Sequence, residues 1–347
     1  MTRAAVLNGL GAWVPPRVVT NDMLSAELDT TDEWIRTRTG IAQRHVIEPG
    51  TATSDVAVEA ARLALKSAGT DRVDLVVVAT STPDRSCPAT APTVADKLGL
   101  SGVGAFDVAA VCTGFVYALA TAAGLISSSV VDSALVIGAD TFSTILDPAD
   151  RSTRAIFGDG AGAMVLRAGR PGEAGAVGGF DLGSDGSGAD LITVRAGGSE
   201  QRGSGAAAAA ADTYFRMAGP RVFVQAVRHL SGSVRGTLAK SGWSVEDIGL
   251  LVPHQANARI LGAVADELGV PADRVANNIG RVGNTVAGSI PLALADAAVR
   301  GRLTVGQRIV LTGFGGGLSW GSAALTWPGI STPAIGNDIL EINEQDG

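Results

Sequence analysis

Two kinds of apolar run recur along this chain, in the same order in each half. Residues 56–69 (VAVEAARLALKSAG) read as a helix, followed by a short acidic turn and the unbroken apolar run VDLVVVAT (73–80). Residues 226–242 (AVRHLSGSVRGTLAKSG) read as a second helix, followed by the turn WSVED and the apolar run IGLLVPHQ (248–255). Later in each half comes another such run, SALVIGAD (133–140) and QRIVLTGFGGG (307–317). Continuous β-branched runs of this length predict strands buried on both faces, and the helices between them predict βαβ units. The repeated order predicts a duplicated α/β architecture. The character of the chain changes near residues 170–172. The expected division is a first half over 1–172, a second over 173–328 and a polar, acidic, peripheral tail over 329–347. The alanine-rich run 203–212 is low in complexity and predicts a surface insertion.

Composition narrows the function classes. The 347 residues are 46% hydrophobic and 18% charged, with 46 glycines, which fits a well-buried globular enzyme and excludes a disordered chain. Net charge is −7 without a block of Lys or Arg, so neither nucleic acid nor an anionic membrane is an expected partner. Two cysteines, Cys87 and Cys112, make no disulfide framework, and a reducing cytoplasm is the expected setting. The N-terminus lacks the apolar core of a signal peptide, and Gly, Asp or Ser breaks every apolar run short of a membrane span.

Candidate chemistry centres on AAVCTGF. Cys112 lies between a strand-like run (103–110) and a small-residue helix predicted over 114–127. Free N–H groups and the helix dipole at such a turn favour a thiolate, and Ala109, Ala110 and Gly114 leave room for a substrate. A buried cysteine packing as a small hydrophobe is the competing reading. Of the three histidines, His45 and His229 suit surface or core roles. His254 ends a predicted strand, where active-site groups of open α/β sheets gather. Asn284 sits in a Gly-flanked loop, the place of a cap or a functional amide. FGGGLSWGS (314–322) sets three glycines after a strand, as close backbone approach or a tight turn requires.

DEWIRTRTGI, FDVAAVCTGF, IFGDGAGA, VPHQAN, GNT and FGGGLSWGS, in this order and spacing, resemble the β-ketoacyl-[acyl carrier protein] synthase III family of the thiolase superfamily. The resemblance runs from about residue 6 to residue 327. It implies a thiolase-like, five-layered αβαβα sandwich, a homodimer, and ping-pong acyl transfer without metal or cofactor. Cys112 would take an acyl group from acyl-CoA, and malonyl carried on an acyl carrier protein would lose CO2 and attack the thioester. His254 and Asn284 would donate to the enolate oxygen. The N–H groups of Cys112 and Gly316 would form the oxyanion hole, and Phe314 an apolar wall beside the departing carboxylate. Trp34 and Arg151 would flank the CoA adenine, with Arg38 near the phosphates and Asn257 near the pantetheine. Cys87, Phe142 and Phe157 fall at acyl-pocket positions.

The chain also departs from the family pattern. Asp266 and Glu267 stand where basic residues dock the carrier protein in many relatives, and Val224 replaces another. The expected footprint is therefore Arg259 with Arg221 and Arg228. Pro220 replaces a polar residue near CoA, and Cys87 an aromatic. Relatives that share the nucleophile are set aside by what is missing. No second cysteine follows Cys112, as a biosynthetic thiolase needs, and no glutamate lies between Glu59 and Glu173, as a hydroxymethylglutaryl-CoA synthase needs. The usual motifs of a chalcone-synthase-like enzyme are not evident. An acyltransferase that moves the acyl group to a non-malonyl acceptor is the alternative enzyme, and a silent partner subunit the non-enzymatic one.

Overall fold

The computed structural model describes residues 3–333, so residues 334–347 of the expected tail lie outside the described residues. In the first half, β1 (Ala4–Trp13), β2 (Leu75–Ala79), β3 (Gly104–Val108), β4 (Ser133–Asp140) and β5 (Gly160–Gly169) form one sheet in the order β1-β5-β4-β2-β3. In the second half, β6 (Val177–Ser184), β7 (Leu250–Pro253), β8 (Arg308–Gly315) and β9 (Ser319–Thr326) form another in the order β7-β8-β9-β6. The two sheets use one pattern twice. β2 pairs parallel with β4, and β7 parallel with β8; the next two strands in each sheet are antiparallel. Only β3 lacks a full counterpart, and an isolated parallel bridge between Leu251 and Val275 stands in its place.

The apolar runs behave as their chemistry demands. All five residues of β2 (LVVVA) are buried, because helices cover both faces of its sheet. Seven helices matter here: α1 (Asp32–Thr39), α2 (Thr53–Ala68), α3 (Ala91–Lys97), α4 (Gly114–Ser127), α5 (Gly219–Ser241), α6 (Ala258–Leu268) and α7 (Ser289–Val299). α2 and α3 cover the outer face of the first sheet, and α5 and α6 that of the second. α4 and α7 lie between the sheets and pack against both. The layers are thus αβαβα. Their spacing depends on small residues: a β-carbon on Gly11 of β1 would run into the α2 backbone at Ala60, Leu63 and Ala64.

Both central helices begin alike. A 3₁₀ turn over Val111–Thr113 leads into α4, and another over Val286–Gly288 leads into α7. The first residue of each turn is a valine with left-handed backbone, φ +47° at Val111 and +50° at Val286. β-Branched residues avoid this region, so the packing around each turn must hold it.

The 203–212 run is exposed, as expected. It belongs to a longer excursion whose stems pair as short strands, Ile192–Thr193 with Arg216–Met217.

Candidate active site

Cys112 is the middle residue of the turn before α4 and is buried. Thr113 ties the turn to β9 by donating to Ser319 O at 3.0 Å. Gly315, the last residue of β8, packs directly on the nucleophile: a β-carbon there would lie 2.8 Å from Cys112 N. Among the described residues no acceptor from another residue takes the Cys112 N–H. The expectation of a thiolate is corrected. Burial pushes the thiol up, the charge of Asp140 pushes it further, and the residue's own N–H only partly opposes them.

His254 follows β7 directly, its N–H donating to Thr312 O of β8 at 2.8 Å. The ring is buried, and its Nδ1 lies 2.6 Å from the Ser289 hydroxyl at the start of α7. Burial pushes its pKa down to about 3, against a small upward pull from the Val286 backbone. Thiol and imidazole therefore both rest uncharged. Asn284 is pinned through its backbone, which exchanges hydrogen bonds with Ile156 and Gly158, and through Oδ1, which accepts from Val286 N at 2.9 Å.

These three side chains line one cavity of about 600 Å3. Phe142, Phe157 and Phe215 close its apolar end, with ring centroids 4.6 to 5.1 Å apart. Phe314 lines it beside His254. Ile192, Phe215 and Met217, at the stems of the exposed excursion, complete the wall. Toward the mouth stand Arg38, Asn257 and Arg259. Trp34 lies just outside, under two guanidinium groups, Arg38 at 4.5 Å and Arg151 at 5.3 Å from the ring centre. Arg151 is also paired with Asp29 at 3.0 Å. Asn257 caps α6 by accepting from Arg259 N, and it donates to Arg38 O at 3.0 Å. The other histidines stay outside the cavity: His45 contacts Pro15 O, and His229 stacks on Trp320.

Cys87 does not join this assembly. The bend after β2 turns outward, Arg85–Pro88 are exposed, and Cys87 lines no part of the Cys112 cavity. The aromatic that completes the pocket is Phe215. Gly316 is one residue beyond the glycine that touches Cys112, and its own α-carbon faces Ile192. Glu267 pairs with Arg235 at 3.3 Å and is not the unbalanced charge expected of it. Sequence reasoning missed Asp140, Phe215, Ser289 and Gly315. Only Gly315, within the three-glycine run, left a signal there. Among the described residues, no group of three His, Cys, Asp or Glu side chains could hold a metal ion, and no helix is long and apolar enough to cross a membrane.

A duplicated five-layer fold with Cys, His and Asn converging where the halves meet defines a condensing enzyme of the thiolase fold. Residues 106–186 match the sequence profile described as 3-oxoacyl-[acyl-carrier-protein (ACP)] synthase III, and residues 238–327 that of its C-terminal part. The chain is 60% identical to β-ketoacyl-[acyl-carrier-protein] synthase III 3 of Streptomyces coelicolor, over 95% of this chain and 99% of that one. It is 58% identical to the synthase III of Pseudomonas aeruginosa, over 95% and 98%. The crystal structure of 3-oxoacyl-(acyl carrier protein) synthase III from Pseudomonas aeruginosa superposes with a TM-score of 0.89 at 57% identity, covering 94% of this chain and 99% of that one. A priming β-ketosynthase from a polyketide biosynthetic pathway superposes with a TM-score of 0.87 at 36% identity, over 96% and 98%. The chain belongs to the β-ketoacyl-[acyl-carrier-protein] synthase III family.

Proposed function

We propose that this chain condenses an acyl-CoA starter with malonyl-[acyl carrier protein], with loss of CO2, to begin a fatty-acid or polyketide chain. The observation that carries the reading is the single cavity that holds Cys112, His254 and Asn284 against an apolar aromatic end.

The first half-reaction makes an acyl-Cys112 thioester. His254, uncharged at rest, takes the thiol proton as sulfur attacks and hands it to the departing sulfur, so that CoA leaves as its thiol. The open N–H of Cys112, with that of Gly316, stabilises the tetrahedral oxyanion. In the second half-reaction malonyl loses CO2, its thioester oxygen gains negative charge, and the enolate carbon then attacks the acyl-Cys112 carbonyl and expels Cys112, which regains its proton. His254 and Asn284 donate to that oxygen, and the Phe314 ring disfavours the charged carboxylate next to it. Phe142, Phe157 and Phe215 take the acyl chain.

The Trp34, Arg38 and Arg151 stack suits the CoA nucleotide, and Asn257 the pantetheine. Arg259, at the rim, with Arg221 and Arg228 on α5, offers a basic edge to an acidic carrier protein. CoA thioesters are substrates here, and the chemistry asks for no resident cofactor or metal. The family resemblance supports a homodimer in the cytoplasm.

Mass spectrometry of the protein after exposure to a panel of acyl-CoAs tests the first step. The expected adduct is on Cys112, discharged by malonyl-[acyl carrier protein] with CO2 release. An adduct discharged instead by alcohols or amines, without decarboxylation, would replace this reading with the acyltransferase one.

A further inference from the structure

The Asp140 carboxylate plays no part in the chemistry above, yet it is fully buried. It ends β4. Its Oδ1 accepts from Ser81 N–H at 2.7 Å and from the hydroxyls of Thr82 and Thr80 at 3.1 and 3.3 Å. Its Oδ2 accepts from Ala287 N–H at 3.0 Å. The first three donors lie at the carboxyl end of β2 and in the bend after it, in the first half. The fourth lies on the 3₁₀ turn before α7, in the second. One carboxylate thus fastens the two halves together at that turn.

The turn is the frame of the other two functional side chains. Val286, its first residue, is held by Asn284 Oδ1. Ser289, the residue just after it, holds the His254 ring. Gly138 of β4 also lies against it, so closely that a β-carbon would collide with the Ala287 carbonyl. The groups facing the carboxylate are therefore Thr80, Ser81 and Thr82 from the first half and Ala287 from the second. None of its hydrogen-bond partners is a cation. Burial pushes its own pKa up to about 7, opposed by the four donors.

We infer that Asp140 is a positioning residue: it fixes the Val286–Gly288 turn, and with it Asn284 and the Ser289–His254 pair. The inference rests on the roles proposed above for Cys112, His254 and Asn284. An amide cannot replace the carboxylate. Its oxygen could still accept from Ser81, but its NH2 would then meet Ala287 N–H donor to donor.

Asp140→Asn tests this positioning. Acylation of Cys112 by acyl-CoA should fall less than condensation, because Asn284 acts only in the second half-reaction. Condensation from preformed acyl-enzyme should fall roughly ten- to a hundredfold, the cost of leaving a buried donor unmet at the catalytic frame. A merely structural role would lower thermal stability and leave the two half-reaction rates per folded enzyme, and their ratio, unchanged. A folded variant with full-rate condensation, or with equal losses in both half-reactions, overturns the inference. Should Asp140→Asn not fold, Thr80→Val removes one donor from Oδ1 and loosens the carboxylate. Condensation should again fall more than acylation, by a smaller factor; wild-type rates in both overturn the inference. Failure of the underlying reading is visible separately, as wild-type protein that forms no acyl adduct on Cys112.

Discussion

The turns that open α4 and α7 are built alike and used differently. Each begins on a valine in left-handed backbone, and the second residue of each, Cys112 or Ala287, meets the last residue of a strand from the opposite half. Those strands, β4 and β8, occupy equivalent places in the two sheets. β4 ends in Asp140, whose carboxylate occupies Ala287 N–H. β8 ends in Gly315, which has no side chain to offer, and Cys112 N–H is left open. The fold therefore contains, at Ala287, a standing counterpart of what the reaction creates briefly at Cys112: a carboxyl oxygen on the N–H of a strained turn. The reactive turn differs from the structural one by a deleted acceptor as much as by an added thiol.

Exchanging the nucleophile is the severest test of that comparison. Cys112→Ala should abolish acyl transfer, read as loss of the acyl adduct in the mass spectrum; residual acylation at another residue would mean that the chemistry lies elsewhere. Gly315→Ala puts a methyl group 2.8 Å from Cys112 N, against backbone that cannot give way cheaply. Acylation should fall roughly 10²-fold or more, the scale of losing one oxyanion donor. Wild-type acylation in this variant would show that the open N–H is not used. Asn284→Ala should slow malonyl decarboxylation by a similar factor, roughly 10², while acylation of Cys112 suffers less. Equal losses in both half-reactions would make Asn284 a structural cap of Val286 alone.

The comparison extends to acid stability. The folded protein protonates His254 only near pH 3, the unfolded chain near 6.5. The His254 contribution to stability is therefore complete above pH 6.5 and is lost as pH falls toward 3. Asp140 has the opposite sign. Its folded pKa of about 7 exceeds the unfolded 3.8, so its contribution is complete below 3.8 and is lost as pH rises through 7. Between about pH 4 and 6.5 the two slopes oppose each other. Melting temperatures across that range should fall more steeply with acid in Asp140→Asn than in the wild type, and less steeply in His254→Gln. Parallel curves for all three proteins would contradict the burial argument.

The smallest effect concerns the rim. Glu267 is already paired with Arg235, so Asp266→Lys should raise the association rate with a carrier protein only a few-fold, more at low salt than at high. A gain indifferent to salt would place docking elsewhere.

Much of this was legible in the sequence. The helix predicted over 114–127 and the strand over 133–140 have those bounds in the structure, because the packing rewards the apolar run from end to end. The helix predicted from residue 226 begins at Gly219, since Pro220 is tolerated in a first turn. The strand predicted over 248–255 shrinks to Leu250–Pro253. Cys112, His254 and Asn284 were legible because they stand at the ends of strands and beside glycines. Asp140 was not, because a strand-ending aspartate reads as an ordinary solvated turn residue until the donors around it are known. Phe215 follows a low-complexity run and carries no local sign of facing the cavity. Cys87, given to the acyl pocket, stands on an exposed bend and lines no part of the cavity within one chain, because nothing in RSCPAT says which way the bend turns.

The excursion between Thr193 and Arg216 has a consequence for how such a cavity can change over generations. Its stems supply Ile192, Phe215 and Met217 to the pocket wall, while its alanine-rich crest touches nothing in the core. Backbone bonds at the base, Ala196 N–H to Asp212 O and Phe215 N–H to Ile145 O, fasten the stems below residues 203–210 of the crest. The cost of closing a longer loop grows only slowly with its length. Insertions and deletions in the crest are thus nearly silent, while single substitutions in the stems reshape the chamber. Inheritance can tinker with substrate choice here without placing the nucleophile or the folding of either sheet at risk.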